Sequence, residues 1–197
     1  MLDYIRYPGP PADDNGTTLL GYAAPIVDSF KELTGRDPFS IANNDREWVD
    51  HRAGFVTQTI REIRAALPKR GGQELEISVC TGGLIHDDLN RLFRDWRTWI
   101  AQGLVDTLCP MLYFKPEQVG RETRAIRQTL EGESGYNLYS ALCIKYDLLN
   151  TPELLHQGYA EAMEGGADGV CIYRADGLEN ASLWGVIEQL GKSGQTG

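Results

Sequence analysis

Short β-rich runs alternate with amphipathic helical runs, one pair roughly every 30 residues. The strand candidates are Leu2–Tyr7, Leu75–Cys80, Thr107–Phe114, Asn137–Ile144 and Gly169–Arg174. The helix candidates are Trp48–Leu67, Leu89–Gln102, Pro116–Leu130, Pro152–Glu164 and Ser182–Leu190. Val49, Ala53, Val56, Ile60, Ile63 and Leu67 mark one helix face at steps of three and four. Leu89, Leu92, Phe93, Trp96, Trp99 and Ile100 do the same, as do Val119, Thr123, Ile126 and Leu130. Thr151-Pro152-Glu153 supplies an N-cap, a proline at the first helical position and an early acid. Asp87-Asp88 are placed to cap the tryptophan-bearing helix. Gly103, Gly132, Gly165 and Gly191 stand where helices should end. Strict alternation of strands and helices predicts βαβ units around a parallel sheet.

The strands are short and mixed. In Glu74–Thr81, Leu75, Ile77 and Val79 would face the helices, and Glu76, Ser78 and Cys80 would face a barrel axis. A barrel interior tolerates such small and polar groups better than an open doubly wound sheet. The rhythm breaks once, in the stretch 9–47, which is rich in Gly, Pro, Asp and Asn. A short helix, Ala24–Leu33 closed by Gly35, is expected within it. A long insertion after a strand's C-terminal end lies on the catalytic face of a barrel.

The chain has 197 residues, one domain by length, so residues 1–197 are read as a single domain. A complete eight-unit barrel takes about 250 residues. The hydrophobic share is 42%, enough to bury a core, and the formal net charge is -9. That charge argues against nucleic acid or an anionic membrane as the main partner, and says nothing against a neutral sugar. No run approaches the roughly 20 apolar residues of a membrane span. Met1-Leu2-Asp3 runs straight into a strand-like segment, so no leader peptide is expected at this end. Cys80, Cys109, Cys143 and Cys171 each fall in an apolar, strand-like run and none is in a knuckle spacing. They are read as small buried hydrophobes, with one disulfide between neighbouring strands left open. His51, His86 and His156 form no metal spacing, so neither metal nor cofactor is expected.

Leu2-Asp3-Tyr4-Ile5-Arg6-Tyr7-Pro8 resembles the strand-four signature of the glycosyl-hydrolase-like family ten, a group of bacterial (β/α)8-barrel glycosidases. Gly21-Tyr22, then Phe30 with Thr34-Gly35-Arg36-Asp37-Pro38, resembles that family's loop. Trp48 with His51-Arg52 resembles its next helix, and Ile77-Ser78-Val79 its strand five. Asp95-Trp96, Trp99, Gly103 and Asp106 lead into Pro110-Met111-Leu112-Tyr113, which resembles strand six. The resemblance weakens after Tyr113. It implies a partial (β/α)8 barrel of α/β class, units four to eight, with parallel strands and outer helices. The first three units have no counterpart here.

Glycoside hydrolysis uses two carboxyl groups, one protonating the leaving oxygen and one attacking the anomeric carbon or activating water. In a barrel they sit at C-terminal strand ends. The resemblance makes Asp3 the expected catalytic carboxylate, and a guanidinium nearby would keep it ionised, as a nucleophile or base requires. Its other reading is a structural pair with Arg6. Arg6 is a sugar contact or the residue that fixes Asp3. Tyr113 ends a strand, where an aromatic ring stacks on sugar or packs the barrel. Tyr22, in the long loop, is a candidate sugar platform, and the helical tryptophans are read as packing. His86 and Asp176, on loops of the catalytic face, are further substrate-binding candidates. The second carboxylate stays open among Asp87, Asp88, Glu117, Asp147 and Asp176, or lies on units that have no counterpart here.

Three functional classes follow. One is a glycoside hydrolase acting on a poly- or oligosaccharide, such as a cell-wall glycan. Another is a non-catalytic or degenerate carbohydrate-binding barrel. The last is a phosphate-binding barrel enzyme, suggested by Gly165-Gly166-Ala167-Asp168-Gly169-Val170, although these glycines precede the last strand and so lie on the wrong face. Units four to eight alone leave two sheet edges open, so the isolated chain is expected either to fold poorly or to self-associate, with little or no glycosidase activity alone.

Overall fold

A computed structural model describes residues 1–9, 11–14, 16–69, 74–86 and 88–193. They gather into two compact units, Met1–Thr81 with His86–Asp106, and Gly82–Ile85 with Thr107–Gly197.

The first unit holds α1 (Ala24–Thr34), α2 (Arg46–Ala66), β1 (Ser78–Thr81), α3 (Asp88–Leu92) and α4 (Trp96–Ala101). Of the expected strand Leu2–Tyr7, one parallel bridge forms among the described residues, Leu2 with Val79. The reason is local. The Tyr4 N–H goes to Asp3 Oδ1 at 2.8 Å, and the Arg6 N–H to the Tyr4 carbonyl at 2.8 Å. Tyr4 takes φ 56, in the left-handed region. These short-range bonds occupy the groups a ladder would need.

The expected helix Leu89–Gln102 is likewise two helices. Its periodicity is continuous, but Phe93 has φ 56 and Arg94 turns inward, so α3 ends and α4 restarts. The cap of α4 is Asp95, which accepts from Thr98 N at 3.2 Å and Thr98 Oγ1 at 2.6 Å. Asp88 does not cap it, because its carboxylate is buried against Arg94 at 2.7 Å. Asp87 lies outside the described residues. Trp48, Trp96 and Trp99 are buried core, and Trp99 Nε1 donates to Thr57 Oγ1 at 2.9 Å.

The long loop has its own organisation. Val27 and Phe30 of α1 pack on Trp48 of α2, with Tyr22, Ile26 and Ile41 around them. Arg52, fully buried, ties the loop to α2. Its guanidinium donates to the carbonyls of Thr18 (3.3 Å) and Leu20 (3.1 Å), to Asn43 Oδ1 (2.9 Å) and to the Asn43 carbonyl (2.5 Å). It also lies over the Trp48 and Phe93 rings, 4.7 and 4.1 Å from their centroids. Burial pulls its pKa down to about 10, still far above neutrality.

The second unit holds β2 (Thr107–Leu112), α5 (Pro116–Thr129), β3 (Asn137–Cys143), α6 (Pro152–Glu164), β4 (Gly169–Tyr173), α7 (Ala175–Asn180) and α8 (Trp184–Ser193). β3 pairs in parallel with β2 and with β4, Ala141 lying opposite Met111 on one side and Cys171 on the other. Parallel strands joined by helices are the architecture of part of a (β/α)8 barrel. Leu108 and Leu112, then Leu138 and Leu142, are buried with Val119 and Ile126 of α5. Between those layers Ser140 and Thr123 share a buried hydrogen bond of 2.8 Å. α5 and α6 approach closely because Gly120 has no side chain; a Cβ there would lie 3.1 Å from the Glu161 carbonyl oxygen. Thr151 caps α6, accepting from Leu154 N at 3.3 Å. Gly191 does not end a helix, since α8 continues to Ser193.

One clamp occurs in both units. Asp106, just before β2, accepts from Ile77 N at 2.6 Å and Arg64 Nη2 at 2.7 Å, while its own N–H goes to the Ile77 carbonyl. Asp168, just before β4, accepts from Leu138 N at 2.8 Å and Arg127 Nη2 at 2.6 Å, and its N–H goes to the Leu138 carbonyl. In each, a preceding helix, an incoming strand and an earlier strand's start meet on one carboxylate.

Candidate active site

In the first unit the polar residues gather where Leu2 meets β1. Asp3 directly follows the bridged Leu2 and is exposed. Among the described residues it holds no salt bridge. Arg6 donates instead to the Tyr7 carbonyl at 2.9 Å, and its guanidinium sits 4.8 Å from the Tyr4 ring centroid. A left-handed, non-glycine residue beside a solvent-facing carboxylate is the kind of backbone found at working sites.

Arg94 lies beneath. It is buried, donates to the Cys80 carbonyl at 3.3 Å, and pairs with Asp88. Burial lowers its pKa and Asp88 opposes that; Arg6 and Asp3 also act on its charge. Among the described residues, Arg94 Nε and Thr81 Oγ1 are buried without a hydrogen-bond partner. Thr81 is the last residue of β1 and Arg94 holds the Cys80 carbonyl next to it, so both orphaned groups lie by the C-terminal end of β1. Such groups call for a bound water or ligand.

Tyr22 is half-buried. Its hydroxyl donates to Asn43 Oδ1 at 3.0 Å and its ring packs on Trp48 and Phe39. His86 ends the one-turn helix Leu84–His86 and is half-buried.

The second unit carries another group at its strand ends. Tyr113 follows β2 and Tyr173 ends β4. Their rings stack with centroids 5.2 Å apart and planes 21° apart. The Tyr173–Arg174 peptide is cis. Arg174 Nε and Nη2 grip Asp176 Oδ1 and Oδ2, each at 2.5 Å, and Lys145, just after β3, reaches Asp176 Oδ2 at 3.6 Å. The Arg174 fork pulls the Asp176 carboxyl down to about 2. Asp176 is thus an anion at neutral pH and no proton donor. Asp147 lies in the loop after β3, accepting from Asn150 Nδ2 at 3.1 Å, and Glu117 opens α5.

Tyr113 and Asp176 therefore share a unit, as do Asp3, Arg6, Tyr22 and His86. Sequence reading did not single out Tyr173, Arg174, Lys145 or Arg94. Tyr173 had a signal: Gly169, Cys171 and Tyr173 alternate along β4 as Cys109, Met111 and Tyr113 do along β2. Among the described residues no three His, Cys, Asp or Glu side chains group to hold a metal ion. No helix there is long and apolar enough to cross a membrane.

Comparison with curated proteins finds no match. A family model described as glycosyl hydrolase-like 10 matches residues 12–139. The matched stretch includes the long loop, α2, β1, β2 and α5; Asp3, Tyr173 and Asp176 fall outside it. With more than half of its length matched, on parallel strands joined by helices, the chain belongs to the glycosyl hydrolase-like 10 family.

Proposed function

We propose that this chain is the C-terminal part of a glycoside hydrolase barrel that cleaves O-glycosidic bonds of a poly- or oligosaccharide. The family match over residues 12–139 carries this reading. In it, Asp3 is the carboxylate that attacks the anomeric carbon or activates water. Its exposure and its lack of a salt bridge among the described residues suit that task. Arg6 and Arg94 supply positive charge nearby. The Tyr113–Tyr173 stack offers an aromatic face for a sugar ring, with Arg174, Lys145 and Asp176 beside it for hydroxyl groups. Asp176, held as an anion, binds and does not protonate; the general acid is another carboxyl group.

The test is Asp3→Asn in a complete version of this barrel, assayed by release of reducing ends from a panel of polysaccharides. The amide retains the oxygen that accepts from Tyr4 N, so the fold cost is small. Turnover should fall by orders of magnitude with an unchanged melting temperature. Full turnover in Asp3→Asn would return Asp3 to a structural role. A complete wild-type barrel that binds glycans without cleaving them would favour a carbohydrate-binding barrel.

A further inference from the structure

Cys109 of β2 and Cys171 of β4 bring their sulfurs to 3.9 Å, although β3 lies between their strands. Both sit on the face that carries Tyr113 and Tyr173, because side chains alternate along a strand. On β3, Ala141 stands level with Cys171 and Tyr139 with Gly169, so the two thiols meet beside the small Ala141 side chain. Cys109 is buried and Cys171 is half-buried, so one sulfur is reachable from solvent.

Two thiols this close invite two chemistries. A disulfide needs Cα atoms about 4.4–6.8 Å apart. A disulfide also needs the sulfurs about 2.05 Å apart, so forming one would have to draw them from 3.9 Å to about half that separation. A metal held between two thiolates makes no such demand. At about 2.3 Å per metal–sulfur bond, a linear S–metal–S unit spans about 4.6 Å, close to the gap already present. Zinc wants four ligands, and no cluster of three or more ligating side chains exists among the described residues. Thiolates select soft ions, of which Cu(I) accepts two ligands.

We propose that Cys109 and Cys171 form a two-thiolate site for a soft, two-coordinate cation, with Cu(I) as its ligand. Binding replaces two S–H bonds with two S–Cu bonds and releases two protons to solvent; copper keeps its oxidation state. The resulting unit carries one negative charge, which the half-exposed Cys171 side shares with water. This site does not depend on the glycosidase reading.

The test is anaerobic titration of the reduced 197-residue chain with Cu(I), in competition with a Cu(I) chelator, followed by thiolate-to-copper charge-transfer absorption. One Cu(I) per chain is expected, with quenching of tyrosine fluorescence from the adjacent stack, and no stoichiometric Zn(II) binding. Cys109→Ser and Cys171→Ser should each abolish the absorption band, and Cys80→Ser and Cys143→Ser should keep it. If Cys109→Ser fails to fold, Cys171→Ser at the half-exposed position carries the test, with circular dichroism as the check. A band that survives Cys171→Ser would overturn the proposal. So would rapid, quantitative formation of a Cys109–Cys171 disulfide in air without loss of folded structure.

Discussion

Tyr113 and Tyr173 lie face to face, ring centroids 5.2 Å apart, although 60 residues separate them in the chain. One follows β2 and the other ends β4, and both strands run the same way beside β3. The pair therefore marks the C-terminal ends of the strands, where a barrel keeps its chemistry.

If that stack receives a sugar, Tyr173→Ala should weaken binding of the best oligosaccharide by about 1 kcal/mol, roughly fivefold. Tyr173 is partly exposed, so the fold should survive the change. Isothermal titration calorimetry on a glycan panel reads it. Unaltered affinity would make the stack simple packing.

The Arg174–Asp176 fork predicts a titration. Asp176 has its pKa held near 2, so its pairing is in place above the ordinary carboxylate pKa and is lost as pH falls through about 2. Carboxyl-carbon NMR should find the low midpoint in the wild type. Arg174→Ala should return it towards the ordinary range of about 3.9, leaving Lys145 and the Gly177 N–H to oppose protonation. A midpoint unmoved by Arg174→Ala would mean that the fork is absent in solution.

Cys171 should be the thiol alkylated first. Its folded pKa, near 7, is lowered from 9.0, so the associated stability is complete above the unfolded value and disappears as pH falls through about 7. Burial raises the Cys143 thiol instead. Iodoacetamide labelling followed by mass spectrometry should give Cys171 a rate midpoint near 7 and Cys143 a later one. Equal rates would contradict the pairing of Cys109 with Cys171.

The Asp168 clamp predicts a stability cost. Asp168→Ala strips the buried Leu138 N–H of its acceptor, at about 1–3 kcal/mol. The exposed part of its pairing with Arg127 adds little. Urea unfolding of the variant against the wild type measures the loss, and a change under a few tenths of a kcal/mol would show that another group takes over.

We propose further that the free edge of β4 leads to self-association. β4 pairs with β3, no other strand among the described residues pairs with it, and its residues from Gly169 to Ile172 are only half-buried. Unpaired backbone beside apolar side chains is a template for another strand. Light scattering after size exclusion should show concentration-dependent species above 21.9 kDa. A monomer at every concentration tested would remove the proposal.

The local elements were written in the chain. Pro152–Glu164 is a helix over the residues its proline, Thr151 cap and terminal glycine indicate, and β2, β3 and β4 lie within the predicted runs. Those features follow from neighbours a few residues apart: caps, periodicity and proline geometry. Asp3 and Arg6 were legible as candidates through the resemblance of Leu2–Pro8 to a family signature, one short motif holding both. The tertiary structure decided the rest. Leu89–Gln102 reads as one helix, yet it breaks at Phe93 because Asp88 and the Cys80 carbonyl hold Arg94 inward. Arg52 is fully buried because Asn43 and the loop carbonyls close around it, partners its helix neighbours do not supply. Tyr173, Arg174 and Lys145 acquire partners, and Cys109 meets Cys171, only when strands far apart in sequence are set in register. Local propensity carries no information on that register, because it depends on which buried faces pack together and on how far the sheet curves.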